Sequence, residues 1–169
     1  MRLSFFGFGA KPLADAGPLY AAVVAEARSP HWYSHAGVPD TLDGRFSILT
    51  TVLALTDIRL ERGADEARAL GPRLAEEFIA DMDAQMRQQG FGDPSLGKQV
   101  RKMVGSLASK VDRWRLAVEA IEPWDRVARA SLYGVSEEPK AEAGVEATRE
   151  WWQRLQKASD SALAEGRIA

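Results

Sequence analysis

Apolar residues recur along this chain every three to four positions, the spacing of a helix buried on one side. Sustained apolar/polar alternation and Asn-Gly or Asp-Gly hairpin turns are both missing, so strands are not expected. The pattern predicts a first helix over 11–28, stopping before Pro30, and a loop over 29–39 between two prolines. Asp40 or Thr41 then caps a helix running to about Arg62. On it Leu42, Phe46, Leu49, Leu53 and Leu60 share one face, and Ile48, Val52, Leu55 and Ile58 the other. Only a stripe of Asp43, Ser47, Thr50, Asp57 and Glu61 stays polar, so this helix is expected at the centre of the fold. A short helix over 65–70 is expected to break at Gly71-Pro72, and Pro72 to start a longer one ending at Gly90. Asp93 caps the next helix, whose arc from Val100 to Ile121 is the strongest amphipathic pattern in the chain. A short helix over 122–133 stops at Gly134, and 135–144 reads as a linker. A last helix over 144–165 carries Val145, Thr148, Trp152, Leu155 and Ala162 on one stripe, with Trp151 off it. The expected fold is all-α, a single compact multi-helix domain around a buried central helix. Its parts are an N-terminal tail over 1–10, a helical domain over 11–134, and a linker with a C-terminal helix over 135–169.

Composition narrows the chemistry. The 169 residues are 46% hydrophobic and 27% charged, with a net charge of −2. With no cysteine, a disulfide scaffold, a thiol nucleophile and cysteine-ligated zinc are excluded. The near-neutral balance argues against a DNA binder. No apolar run approaches the ~20 residues of a membrane span, and Asp57 and Arg59 interrupt the best stretch. The first residues resemble neither a secretory signal nor a transit peptide, so a cytoplasmic protein is expected. Phe5, Phe6 and Phe8 in the tail either pack on the domain or touch a membrane surface.

Most chemical motifs have a structural explanation. His31 and His35 lie in a proline-bounded loop without the intervening acid of a His-Glu-x-x-His site. Asp40 and Asp43 suit the positive end of a helix dipole, and Arg45 in that turn needs an acid to pair with. Asp81 and Asp83 stand about 200° apart on a helix, too far to chelate one ion by themselves. Asp83 and Arg87 are spaced to pair. The glycine-rich stretch 90–97 fails the P-loop pattern because Gln99 replaces the hydroxyl. Lys98, Arg101, Lys102, Lys110, Arg113 and Arg115 make one helix basic, either a solvated face or a docking face for an acidic partner, lipid headgroups or RNA.

Two stretches taken together carry a family resemblance. One is Trp32-Tyr33 followed by Gly37-Val-Pro-Asp-Thr-Leu-Asp-Gly-Arg-Phe46. The other is Phe78-Ile-Ala-Asp-Met-Asp-Ala-Gln-Met-Arg87, then Gly90-Phe-Gly-Asp93 and Gly97-Lys-Gln-Val-Arg-Lys-Met103. In this order they resemble the ubiquinol–cytochrome c chaperone family over roughly 20–134. The resemblance implies an all-α bacterial member without enzymatic activity or cofactor. It also implies that the protein binds cytochrome b, or another component, during assembly of the respiratory bc1 complex. Expected placement is the cytoplasm or the inner face of the plasma membrane, with an anionic membrane surface as a further partner. The signature includes Asp40, Asp43, Arg45, Asp81, Asp83 and Arg87, whose acids are expected to pair with Arg45 or the basic helix. Trp32, Tyr33, Lys98, Arg101, Lys102 and Arg113 are then the candidate partner-binding residues, and Phe5, Phe6 and Phe8 the candidate membrane contacts. Two alternatives stand beside this reading. One is a helical protein handling lipid or quinone at a membrane surface. The other is a metal-dependent enzyme built on Asp40, Asp43, Asp81 and Asp83, for which no bound metal is expected.

Overall fold

The structure is a computed structural model and describes residues 14–169, so Phe5, Phe6 and Phe8 lie outside it. Eight helical segments and no strand occur among the described residues: α1 (Gly17–Ala27), α2 (His31–Ser34), α3 (Leu42–Glu61), α4 (Asp65–Gln88), α5 (Asp93–Val118), α6 (Trp124–Tyr133), α7 (Ala141–Lys157) and α8 (Asp160–Ala164). Thr41 caps α3, its hydroxyl accepting from the Gly44 amide at 3.1 Å. That bond satisfies one of the four amides a helix start leaves without partners. Ile48, Val52, Leu53, Leu55, Ile58 and Leu60 are each at most 2% exposed. α3 packs against α1, α4, α5, α6 and α7, and is the central helix.

The polar stripe expected on α3 is partly inside. Thr50 of that stripe is fully buried, as are Thr51 and Thr56 outside it, and each hydroxyl donates to the carbonyl four residues back at 2.7–2.8 Å. A threonine that bonds its own helix can be buried without an orphaned donor. The opposite surprise lies on the expected apolar face. Leu42 is 63% exposed, and Phe46 and Leu49 are only partly covered.

α4 runs unbroken through Gly71-Pro72, where a break is expected. Proline removes one intrahelical hydrogen bond and crowds the preceding residue. Here that residue is glycine, with no Cβ to crowd. Leu70 and Leu74, at 3% and 1% exposure, anchor both halves to one core. At the other end of the chain the connection is short, residues 135–140, and α7 enters the core. Trp151 lies under α3 at 1% exposure and donates from Nε1 to the Val52 carbonyl at 3.2 Å. Trp152, the expected core residue, is only partly buried against Trp124. α7 ends at Lys157, so Ala162 belongs to α8 and is not on that stripe. Gly144 is required where α7 crosses Tyr133, since a Cβ there would lie 2.0 Å from the tyrosine oxygen. That hydroxyl donates to the Ala36 carbonyl at 2.6 Å, tying α6 to the segment after α2.

Candidate functional site

The half-covered face of α3 has a structural consequence. Together with the end of α1, the α2 turn, the second half of α4 and the first half of α5, it walls a groove of about 1180 Å³. Val24, Phe46, Leu49, Met82, Met86 and Met103 supply its apolar surface, and Leu42 and Phe91 stand exposed on it. Three of the chain's four methionines therefore line one cavity. Unbranched thioether side chains repack readily, which suits a surface that takes apolar partners of varied shape.

Both sequence motifs converge here. Tyr33, Asp40, Asp43, Arg45, Asp81 and Lys102 line the groove. Their pairing differs from the expectation. Arg45 binds Asp40 of its own turn at 2.6 Å and holds that carboxyl below its usual range. Asp81 meets neither Arg45 nor the basic helix. It accepts from the Tyr20 hydroxyl at 2.7 Å and from Gln85 Nε2 at 2.9 Å. Tyr20 is buried, and burial together with this carboxylate raises its hydroxyl well above the ordinary tyrosine range. Asp83 does pair with Arg87 at 2.9 Å, and Arg87 reaches on to Asp93 at 3.2 Å, joining α4 to the start of α5.

Trp32 is no surface for a partner. It is 0% exposed, and its Nε1 donates to the Glu26 carbonyl at 3.1 Å. Tyr33 is half-buried beside it, donates to the Ala27 carbonyl at 3.2 Å, and has its hydroxyl pKa raised by burial. His31 sits against Ser29 and Glu26, and no group of three metal-ligating side chains occurs among the described residues.

The basic helix divides. Arg113 pairs with Glu122 at 3.3 Å, and Arg115 with Glu61 at 2.8 Å and with Asp112. Lys98, Arg101 and Lys102 are exposed. Lys110, placed on the solvated face by its sequence neighbours, instead turns its ammonium inward. Nζ donates to the Ser47 carbonyl at 3.1 Å, Thr50 Oγ1 at 2.8 Å and the Ser131 carbonyl at 3.1 Å, with Thr51 Oγ1 at 3.4 Å. Burial lowers its pKa to about 8. On a helical wheel Lys110 falls about 60° from Leu107, at the edge of the core arc, which is the signal sequence reading passed over.

Comparison with known proteins gives two matches. The family model described as Ubiquinol-cytochrome C chaperone matches residues 34–169. That match runs past Gly134 and takes in α7 and α8, beyond the extent of the motifs read from sequence. A crystal structure of the Cbp3 homolog from Brucella abortus is similar at 26% identity, with a TM-score of 0.74. The similarity covers 90% of this chain and 86% of that one. No curated protein matches.

Proposed function

Because the chain belongs to the ubiquinol-cytochrome C chaperone family, we propose that it is a non-enzymatic chaperone of bc1 complex assembly whose methionine-lined groove holds an apolar segment of cytochrome b. The carrying observation is that both sequence motifs meet at this groove while the described residues leave its apolar wall uncovered. Two of its three carboxylates are committed to neighbouring side chains, Asp40 to Arg45 and Asp81 to Tyr20 and Gln85, while Asp43, expected to pair, makes no ion pair among the described residues; this suits holding a segment more than transforming one. An amphipathic or transmembrane helix laid in such a groove buries apolar anchors at i, i+3, i+4 and i+7. No helix among the described residues is long and apolar enough to cross a membrane. In this reading the client is met from outside the bilayer, at the inner face of the plasma membrane.

The test is binding of a fluorescent peptide copying a transmembrane helix of cytochrome b. Leu49→Glu and Met103→Glu, both at partly buried positions, should each weaken it by roughly tenfold or more, from the ~1.5–3 kcal/mol that burial of such a side chain contributes. Their circular dichroism and melting temperature should stay near those of the parent. Unchanged affinity in both variants would refute the assignment of the groove.

A further inference from the structure

Ion pairing consumes most of the surface arginines: Arg45, Arg59, Arg73, Arg87, Arg113, Arg115, Arg129, Arg149, Arg154 and Arg167 each meet an acid. The first turns of α5 are different. Lys98, Arg101 and Lys102 are exposed and make no ion pair among the described residues. At positions i, i+3 and i+4 they are neighbours on one side of the helix. Asp93, the acid nearest before them in the chain, is already held by Arg87. Lys102 also forms part of the groove wall, and on that same groove Leu42 is 63% and Phe91 36% exposed.

We propose that Lys98, Arg101 and Lys102, with Leu42 and Phe91, form a docking surface for an anionic bilayer that sets the groove against the lipid. The inference rests on the reading of the groove as a client site, and adds where the client is met. With a net charge of −2 the protein as a whole is not drawn to a negative membrane. Attraction must come from a local cluster, acting within a Debye length of about 8 Å at physiological salt. Three adjacent cations free of internal acids provide it, and the leucine and phenylalanine that share the groove with Lys102 supply the apolar contact that holds a peripheral protein in the interface. Of the other cations without ion pairs among the described residues, Arg28 lies on the groove wall, and Arg62 after α3, Arg126 on α6 and Lys157 ending α7 are scattered over separate elements.

Sedimentation of the full chain with phosphatidylcholine vesicles, with and without phosphatidylglycerol, tests this. The parent should bind only the anionic vesicles and release at high salt. Lys98→Gln/Arg101→Gln/Lys102→Gln should lower partitioning by roughly 100-fold, about fivefold per cation. Arg62→Gln/Arg126→Gln/Lys157→Gln changes net charge equally and should lose far less. Leu42→Ser/Phe91→Ser should also weaken binding. Equal losses in the two triple variants, binding to uncharged vesicles, or binding to RNA in place of vesicles would overturn the proposal. Lys98→Gln/Arg101→Gln, whose residues lie outside the groove wall, should still bind the cytochrome peptide in solution. A failure confined to vesicles would refute the docking surface and leave the client groove standing, whereas unchanged peptide binding in both groove variants above would count against the groove.

Discussion

Lys110→Met should make the protein more stable at neutral pH, although it removes every hydrogen bond of a buried side chain. The groups facing Lys110 are oxygens: the Ser47 carbonyl and the Thr50 and Thr51 hydroxyls on α3, and the Ser131 carbonyl on α6. No carboxylate bonds to it. Burial therefore dominates and brings its pKa from 10.5 to about 8. Between those values the unfolded chain holds a proton that the folded chain has released. Stability must accordingly rise with pH across that window, and the full penalty is present below pH 8. It amounts to at most about 3 kcal/mol. Methionine keeps the length and the apolar stem without the charge. The threonine hydroxyls go on donating to Phe46 and Ser47, so no buried donor is orphaned. Urea unfolding of parent and variant from pH 7 to 10.5 measures the effect. The variant should lead at pH 7 by up to about 3 kcal/mol, and the lead should shrink as pH rises through 8 to 10.5. Tyr20 and Tyr133, whose hydroxyls are pushed up by burial, pull the other way at the top of this range, but they do so in both proteins. The difference between the two curves isolates the lysine. A variant less stable at pH 7, or a difference that does not change with pH, would refute the argument.

Two further outcomes follow from the central helix. Leu53→Ala, at 2% exposure, should cost about 2–5 kcal/mol in urea unfolding as a core truncation; a loss below ~1 kcal/mol would mean that the site collapses around the change. Asp57, pushed up to about 6 first by burial and then by Glu61, should lower stability as pH rises from about 4 to 6, because the unfolded carboxyl releases its proton earlier. Asp57→Asn should remove that fall and gain roughly 1–2 kcal/mol at pH 7, read from melts at pH 4 and pH 7.

Local signals specified the helices where they were undiluted. The Thr41 cap, the glycine after Tyr133 and the apolar arc of α5 each act within a turn or two of their own position, and α3, α5 and α6 follow them to within about two residues. Pro72 misleads because its effect depends on tertiary anchoring: Leu70 and Leu74 hold the helix on both sides, which no local rule records. The choice between Trp151 and Trp152 turns on which rotation of α7 meets α3, a property of two helices together. The pairing of Asp81 was illegible for the same reason, since its partner Tyr20 lies 61 residues away. Sequence periodicity marked Leu42, Phe46 and Leu49 as apolar, yet whether an apolar stripe is covered depends on what the fold sets over it. The groove is the place where none of the described residues does.

The same distinction between local and distant contacts separates the two ends of α3. Its C-terminal end is fastened by partners far away in the chain. Arg59 donates to the Leu155 and Ala158 carbonyls and to Asp160 at 2.8–3.1 Å, Asp160 accepts from the Ala64 amide, and Glu61 holds Arg115 of α5. Twenty residues earlier, about 30 Å along the axis, the groove end has the local pairs Asp40 with Arg45 and Asp83 with Arg87, and its links between helices are Tyr20 of α1 with Asp81 of α4 and Arg87 of α4 with Asp93 at the start of α5. Links within one turn or one helix do not restrain one helix against another. The walls of the groove can adjust without breaking the contacts that hold α7 and α8 to the core, whereas parting α1 from α4, or α4 from α5, would break Tyr20–Asp81 or Arg87–Asp93. Methionines on those walls add side chains that repack at little cost. In the proposed reading a chaperone takes an apolar segment and later gives it up, and the methionines that repack lie on the groove beside the first turns of α3.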